Sequence, residues 1–474
     1  MCRHLIYILI GIIVYFLAIA LSLWLMPGAD VPQTLLSMAI VCGIVSTTYY
    51  RSKISCISGW CVLLIISTML SVGIIANVHY YTVASGGTTT HPILHNPDAA
   101  TYYADALASI GDPQGHYAPI NRHGYGLIIS SLWQLTGISI VWPLVINMMF
   151  IMLSIIISGI ITQHMLSPHI NKSHQSIATT AMIMTAAVCY YLNSGTLLLK
   201  EAGICFSMAI STLGATALIY QPTNRLKATT LWASFVIGLV LLIFLRHSFI
   251  IFVAIAVIVI TPWQRNKIIS AFFMLALCGL AWASSQILMH DYEIATQAAN
   301  IINGNGISDS YFYDHPQHAT YNLMVGDYFS YTVGQRILWL PISIVTQFLT
   351  PFPWNFIRDT IYGPTLAYAH IAYPWYAIGG LILFYMIIAF RKSPSQLIHI
   401  TLAGIILWCI PAYLFAGTVS RYALPMLPLF IPAAVYVWYK YRIKHSFIIF
   451  CGIYALVMCA ALITCHHLQH LGMQ

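Results

Sequence analysis

Runs of about twenty apolar residues recur along this whole chain, and few folds are open to a chain of that kind. In a bilayer every backbone N–H and C=O must find its partner inside the protein, which leaves helices or a closed barrel. The runs are about twice as long as a barrel strand, so they read as an all-α polytopic membrane protein. Of the 474 residues, 59% are hydrophobic and 6% charged, against about a quarter charged in soluble domains. The net charge of +8 does not suggest a nucleic-acid partner. The basic residues stand in short pairs beside apolar runs, as topology-setting loops do. Met1-Cys2-Arg3-His4 and the run after it could pass for a signal peptide, but no small-residue cleavage site follows near Pro27 to Asp30. The run is therefore read as the first span. The eleven cysteines fall almost entirely in apolar runs or on the basic side, as small apolar fillers rather than a disulfide framework.

Thirteen spanning helices fit: 5–26, 33–50, 59–79, 139–162, 178–196, 201–220, 229–245, 247–262, 268–288, 371–390, 397–415, 422–438 and 446–464. With these, Arg3, Arg51/Lys53, Lys172, Arg225/Lys227, Arg265/Lys267, Arg391/Lys392 and Lys440/Arg442/Lys444 all fall on one side. That is 13 of the 19 Lys and Arg, and the positive-inside rule makes it the cytoplasmic side, with the N-terminus. All eleven carboxylates fall on the other side, among them Asp30, Asp98, Asp105, Glu201 and Asp327.

Two segments are too poor in apolar residues, or too rich in proline, to span. Residues 121–137 and 336–354 are expected to lie in the outer interface, the second broken by Pro341, Pro351 and Pro353. The organisation expected is two N-terminal helices over 1–58 and a membrane module over 59–288 with outer loop 80–138. A second outer loop over 289–370 carries an interfacial helix, and C-terminal helices occupy 371–474.

In the first outer loop Asn96 can cap a helix with Pro97 at its first position and Asp98 in its first turn. An acid there complements the helix dipole and needs no other role. The order of elements around it is more telling. A spanning helix, the acidic helix start, an interfacial helix, a spanning helix, a basic-side turn and another span lead to an outward Ser194-Gly195-Thr196-Leu197-Leu198-Leu199-Lys200-Glu201. A further pair of spans meets at Leu245-Arg246-His247.

This order resembles the shared membrane module of the GT-C glycosyltransferases, the group that includes protein mannosyltransferases and aminoarabinose transferases. The resemblance covers roughly 59–288. Residues 1–58 precede it, and Arg421-Tyr422 with Pro425 and Pro428 looks like an outer helix start of the family type. It implies that Asp98 is the catalytic carboxylate and that Glu201 is a second one, facing the site. It implies a sugar taken from a polyprenyl phosphate on the outer face and passed, with inversion, to a glycan, lipid or protein acceptor. Short loops and the lack of an outer Asn-x-Ser/Thr sequon suit a bacterial inner membrane, undecaprenyl phosphate as carrier, and cell-envelope polysaccharide or glycolipid synthesis. Lys200 departs from the commoner family pattern, because it can neutralise Glu201 locally.

The chemistry is consistent with those residue types. A carboxylate near the acceptor hydroxyl serves as general base while the sugar–phosphate bond breaks, and cations must meet the charge growing on the leaving phosphate. Arg122, Lys200, Arg246, Arg336, Arg358 and Arg421 are the Lys and Arg left on the outer side; each also reads as a residue snorkelling to headgroups. His123 beside Arg122 is a candidate sugar or phosphate contact. Tyr102 and Tyr103 are candidate stacking partners for a sugar, within a tyrosine-rich outer face that also reads as an aromatic belt. His91, His95, His116 and His123 share a loop, yet Pro92 breaks the spacing and no cysteine or close acid completes a zinc set. No metal or other cofactor is expected, although some members of the family use a divalent cation. Two other readings stay open: an O-antigen or polysaccharide polymerase, leaning on outer arginines more than on Asp98, and a transporter or flippase for a lipid-linked sugar. The latter usually places ionisable residues at the bilayer midplane in repeated halves, and no repeat is visible here.

Overall fold

The computed structural model describes residues 2–94, 97–111, 120–188, 194–220, 225–246, 332–349, 372–415 and 424–471. Among these residues every regular element is a helix. In chain order they are α1 (Cys2–Leu25), α2 (Val31–Arg51), α3 (Ile57–His79), α4 (Pro97–Gly111), α5 (Ile120–Thr136), α6 (Val141–Leu166) and α7 (His174–Ala187). Then follow α8 (Glu201–Tyr220), α9 (Arg225–Arg246), α10 (Val333–Leu349), α11 (Ala372–Phe384), α12 (Ser395–Phe415), α13 (Leu427–Tyr441) and α14 (His445–Leu471). Five stretches are long and apolar enough to cross a membrane: Val31–Arg51, Ile57–Ala84, Val141–Leu166, Pro374–Lys392 and His445–Thr464. The protein is thus an all-helical membrane protein, while the expected spans over 247–262 and 268–288 lie outside the described residues.

The helices divide into two compact units, the first holding α1 to α9 apart from the last residues of α8, the second α10 to α14. Within the first, α6 is apolar all round and is the most enclosed of the five long helices. It packs on α2, α3, α5 and α7, while α1 packs on α3. Polar side chains hold the seams: Ser158 meets Thr185 at 2.9 Å between α6 and α7, and Tyr15 meets Cys42 and Ser71 at 3.2 and 3.1 Å. Such pairs are what helices in lipid have in place of a hydrophobic driving force. The helix starts follow the sequence. Asp30 caps α2 by accepting from the Gln33 N–H at 3.2 Å, and Ser173 caps α7 by accepting from the Ser176 N–H.

Within the second unit, α11 packs on α13 and α14, and α12 on α10 and α13. α14 is seated by Phe447 and Phe450 against Phe384, and by the Tyr454 hydroxyl, which donates to the Tyr376 carbonyl at 2.8 Å. The rest of α14 is largely bare, with Ile448, Ile453, Leu456 and Ile463 exposed as lipid-facing residues are.

Two boundaries differ from the sequence reading. α3 runs on through a π turn at Tyr80–Ala84. The span expected over 178–196 is interrupted after Ala187, where Val188 turns to extended backbone at φ −76°, ψ 90°; residues 189–193 lie outside the described residues. Ser194 is helical, and Gly195 to Lys200 form a series of turns and bends, with Ser194 to Leu199 buried. Apolar composition concealed this break, since a buried irregular stretch needs apolar side chains as much as a helix does.

Candidate functional site

α4 opens at Pro97, as read from the sequence, with Asp98 in its first turn; Asn96 lies outside the described residues. Ala99, Tyr102, Tyr103 and Ala106 are buried, and their spacing of three and four makes one apolar face on this helix. Asp98 is partly exposed and stands one turn ahead of Tyr102, on the margin of that face. The loop before α4 is tied down on three sides. Ile93 N–H donates to the Tyr81 carbonyl, Ile140 N–H to Thr89, and the Tyr103 hydroxyl to Thr90 at 2.8 Å. Trp133 of α5 closes the arrangement, meeting Tyr103 edge-on with 4.8 Å between ring centroids and its Nε1–H donating to the Ser139 carbonyl. Expected for the interface, α5 is a helix too short to be counted among the long apolar ones, and it packs along α4. A Cβ on Gly126 would come 3.0 Å from that of Asp105.

The end of the irregular stretch meets this pair. Lys200 Nζ lies 5.4 Å from the centroid of the Tyr102 ring, a cation–π distance. The Tyr102 ring in turn meets Tyr125 of α5 edge-on, 5.3 Å between centroids. Glu201 begins α8 and is 5% exposed. Burial pushes the Tyr125 phenol above its ordinary value, donation from Asn147 lowers it, and the nearby Glu201 carboxylate raises it further. Burial raises the Tyr103 phenol as well. The sign of the linkage follows. Both groups stay protonated in the folded protein at pH values where the unfolded chain ionises, so their contribution is complete below about pH 10 and is lost as pH rises beyond it. A spectrophotometric titration is expected to find these phenols silent until the protein unfolds. Replacing Tyr103 with Phe is expected to make unfolding less dependent on alkaline pH.

Two residues that sequence reasoning passed over hold the site together. Asn147 of α6 is fully buried, and its Nδ2 donates to the Tyr125 hydroxyl at 2.7 Å and to the carbonyls of Leu197 and Leu199 at 2.7 and 3.0 Å. Asn77 of α3, also fully buried, donates to the Thr196 carbonyl at 2.6 Å. A carboxamide in the middle of an apolar run is a costly choice, and that was the signal available in the sequence.

The remaining candidates fall elsewhere. Arg122, His123 and Arg246 lie on described helix backbone, α5 for the first two and the end of α9 for the third. Arg358 and Arg421 lie outside the described residues. Arg336 belongs to α10 of the second unit and is enclosed by protein at 1% exposure, with its neighbours Ile337 and Leu338 exposed. Tyr102 and Tyr103 are both buried, the first between Lys200 and Tyr125, the second with its hydroxyl engaged by Thr90. Among the described residues no three His, Cys, Asp or Glu side chains gather as a metal site would require; His95 and His116 lie outside them. Chemically, the cluster offers a buried carboxylate, an ammonium group directed by an aromatic face, and a second carboxylate at the margin of the same helix pair. No family model matches this chain, and comparison with curated proteins and with solved structures finds no match to either.

Proposed function

We propose that this chain is a GT-C-like membrane glycosyltransferase. In this reading it moves a sugar from a polyprenyl-phosphate carrier to a glycan, lipid or protein acceptor at the outer face of a bacterial inner membrane, in cell-envelope synthesis. It has thirteen spans, a cytoplasmic N-terminus, and outer loops over 80–138 and 289–370. The observation that carries the reading is the Lys200–Glu201 pair at the head of an apolar helix, with Lys200 over Tyr102 on the helix whose first turn bears Asp98.

Asp98 acts as general base on the acceptor hydroxyl, and Glu201 is the second carboxylate of the site. Lys200 meets the phosphate of the carrier, with Arg122 and Arg246 of the same unit as further cations. His123, Tyr102 and Tyr103 are the contacts to the sugar. A Lys ammonium suits this work as a compact point charge with three donors.

The first test is retention of undecaprenyl phosphate by the purified protein in lipid nanodiscs, followed by native mass spectrometry. The wild type is expected to retain it. Lys200→Ala is expected to bind roughly 10- to 100-fold more weakly, the worth of a hydrogen bond to a charged group. Failure of the wild type to retain the lipid, or equal retention by Lys200→Ala, counts against the reading.

A further inference from the structure

The stretch from Gly195 to Leu199 is backbone without helix, and all of it is buried. In such surroundings each carbonyl needs a donor from protein, because water is not there to supply one. Three of its carbonyls, those of Thr196, Leu197 and Leu199, receive theirs from the side chains of Asn77 and Asn147. The two donors come from different helices, α3 and α6, and converge on the four residues that end just before Lys200. Asn147 reaches a third oxygen, the Tyr125 hydroxyl on α5. With two hydrogens on Nδ2 and three acceptors around it, that nitrogen is fully used. Tyr125 accepts from Asn147 and so keeps its own O–H to donate.

We propose that Asn77 and Asn147 are positioning residues of the candidate site. They fix the turn just ahead of α8 so that Lys200 and Glu201 meet the α4–α5 pair, with Asn147 locking the same nitrogen to α5. The proposal rests on the reading of Lys200 and Glu201 as substrate-facing groups, but the fixing itself is testable without substrate. Leucine would fill the same space and supply no donor. Aspartate would set acceptors against the carbonyls of Leu197 and Leu199 and do worse than leucine. Glutamine keeps the carboxamide and is the conservative rescue.

The test places a cysteine at position 200 (Lys200→Cys) and follows its reaction with a membrane-impermeant maleimide in intact membranes. The same protein without that substitution provides the background. Adding Asn147→Leu or Asn77→Leu is expected to speed labelling about tenfold, as a segment that has lost its hydrogen bonds opens locally far below the unfolding temperature. Asn147→Gln is expected to restore most of the slow rate. Ser158→Ala removes a buried hydrogen bond of the same α6 helix to Thr185, away from the turn, and is expected to leave labelling unchanged. Unchanged labelling in Asn147→Leu alongside a lower unfolding midpoint overturns the proposal and leaves a merely stabilising asparagine. Should Asn147→Leu not fold, Asn77→Leu carries the same readout, because it keeps the contacts of Asn147. A wild type that retains no undecaprenyl phosphate would overturn the functional reading alone, since the labelling result does not depend on it.

Discussion

Asp98→Asn is expected to lower sugar transfer from a polyprenyl-phosphate donor by about 10²- to 10⁴-fold, the usual worth of a positioned general base. The amide keeps the shape of the side chain and removes its ability to take a proton. Retention of the donor lipid should then change little, and the loss should fall on the rate of transfer rather than on binding. Asp98 opens α4, so the substitution also weakens a favourable dipole contact, worth about 0.3–1 kcal/mol at an exposed helix start. The stability readout separates the two effects: a thermal midpoint near that of the wild type with transfer abolished identifies chemistry. Transfer that survives in Asp98→Asn removes the base assignment and turns attention to the polymerase reading, in which outer arginines carry more of the work.

Gly124→Leu is expected to be the most damaging single change among the described residues of the site. A Cβ at Gly124 would lie 2.8 Å from the carbonyl carbon of Phe244 and closer still to its oxygen. What it meets is the backbone of α9 rather than the tip of a flexible side chain, so α5 and α9 have to part. Overpacking of this kind costs about 1–3 kcal/mol, occasionally more, and a leucine against backbone belongs at the upper end. The measurement is the unfolding midpoint in detergent, with Gly111→Ala as the reference, since nothing lies within 4 Å of a Cβ there. Near-equal midpoints for Gly124→Leu and the wild type would mean that the α5–α9 seam is not as close as described. Because α5 also carries Arg122 and His123, binding of the carrier lipid should fall with stability.

Much of the framework was legible from residue patterns. The long apolar helices α3, α6 and α14 were read within a few residues, because an apolar run of that length has little else to become. α4 was legible from Pro97 and Asp98, and the interfacial segment expected over 121–137 is a 17-residue helix, α5. The turn ahead of Glu201 was not legible. Hydropathy gives Leu197, Leu198 and Leu199 the same weight whether they ride on a helix or line a buried bend. The meeting of Lys200 with Tyr102 could not be read either, since it depends on packing between segments far apart in sequence. Asn77 and Asn147 were the missed signal. Each is a polar residue inside an apolar run, where its cost demands a partner, and the partner in each case is the irregular stretch that composition had concealed.

Three helices bear on how that turn is held within the first unit. α7 has 14 residues, about 21 Å at 1.5 Å each, which is about 9 Å less than the thickness of a hydrocarbon layer of about 30 Å. Asn77 lies seven residues before the end of the π turn that continues α3, about 10 Å along the axis. Asn147 lies six residues in from the start of α6, about 9 Å along it. The agreement makes the two asparagines a depth gauge along their own helices, and the turn ahead of Lys200 that both hold lies buried within the helix packing of the first unit. A ligand dissolved in water would have to shed its hydration to reach a turn so enclosed. A phosphate whose hydrocarbon tail already lies in the bilayer approaches such a turn sideways, with its apolar part leading.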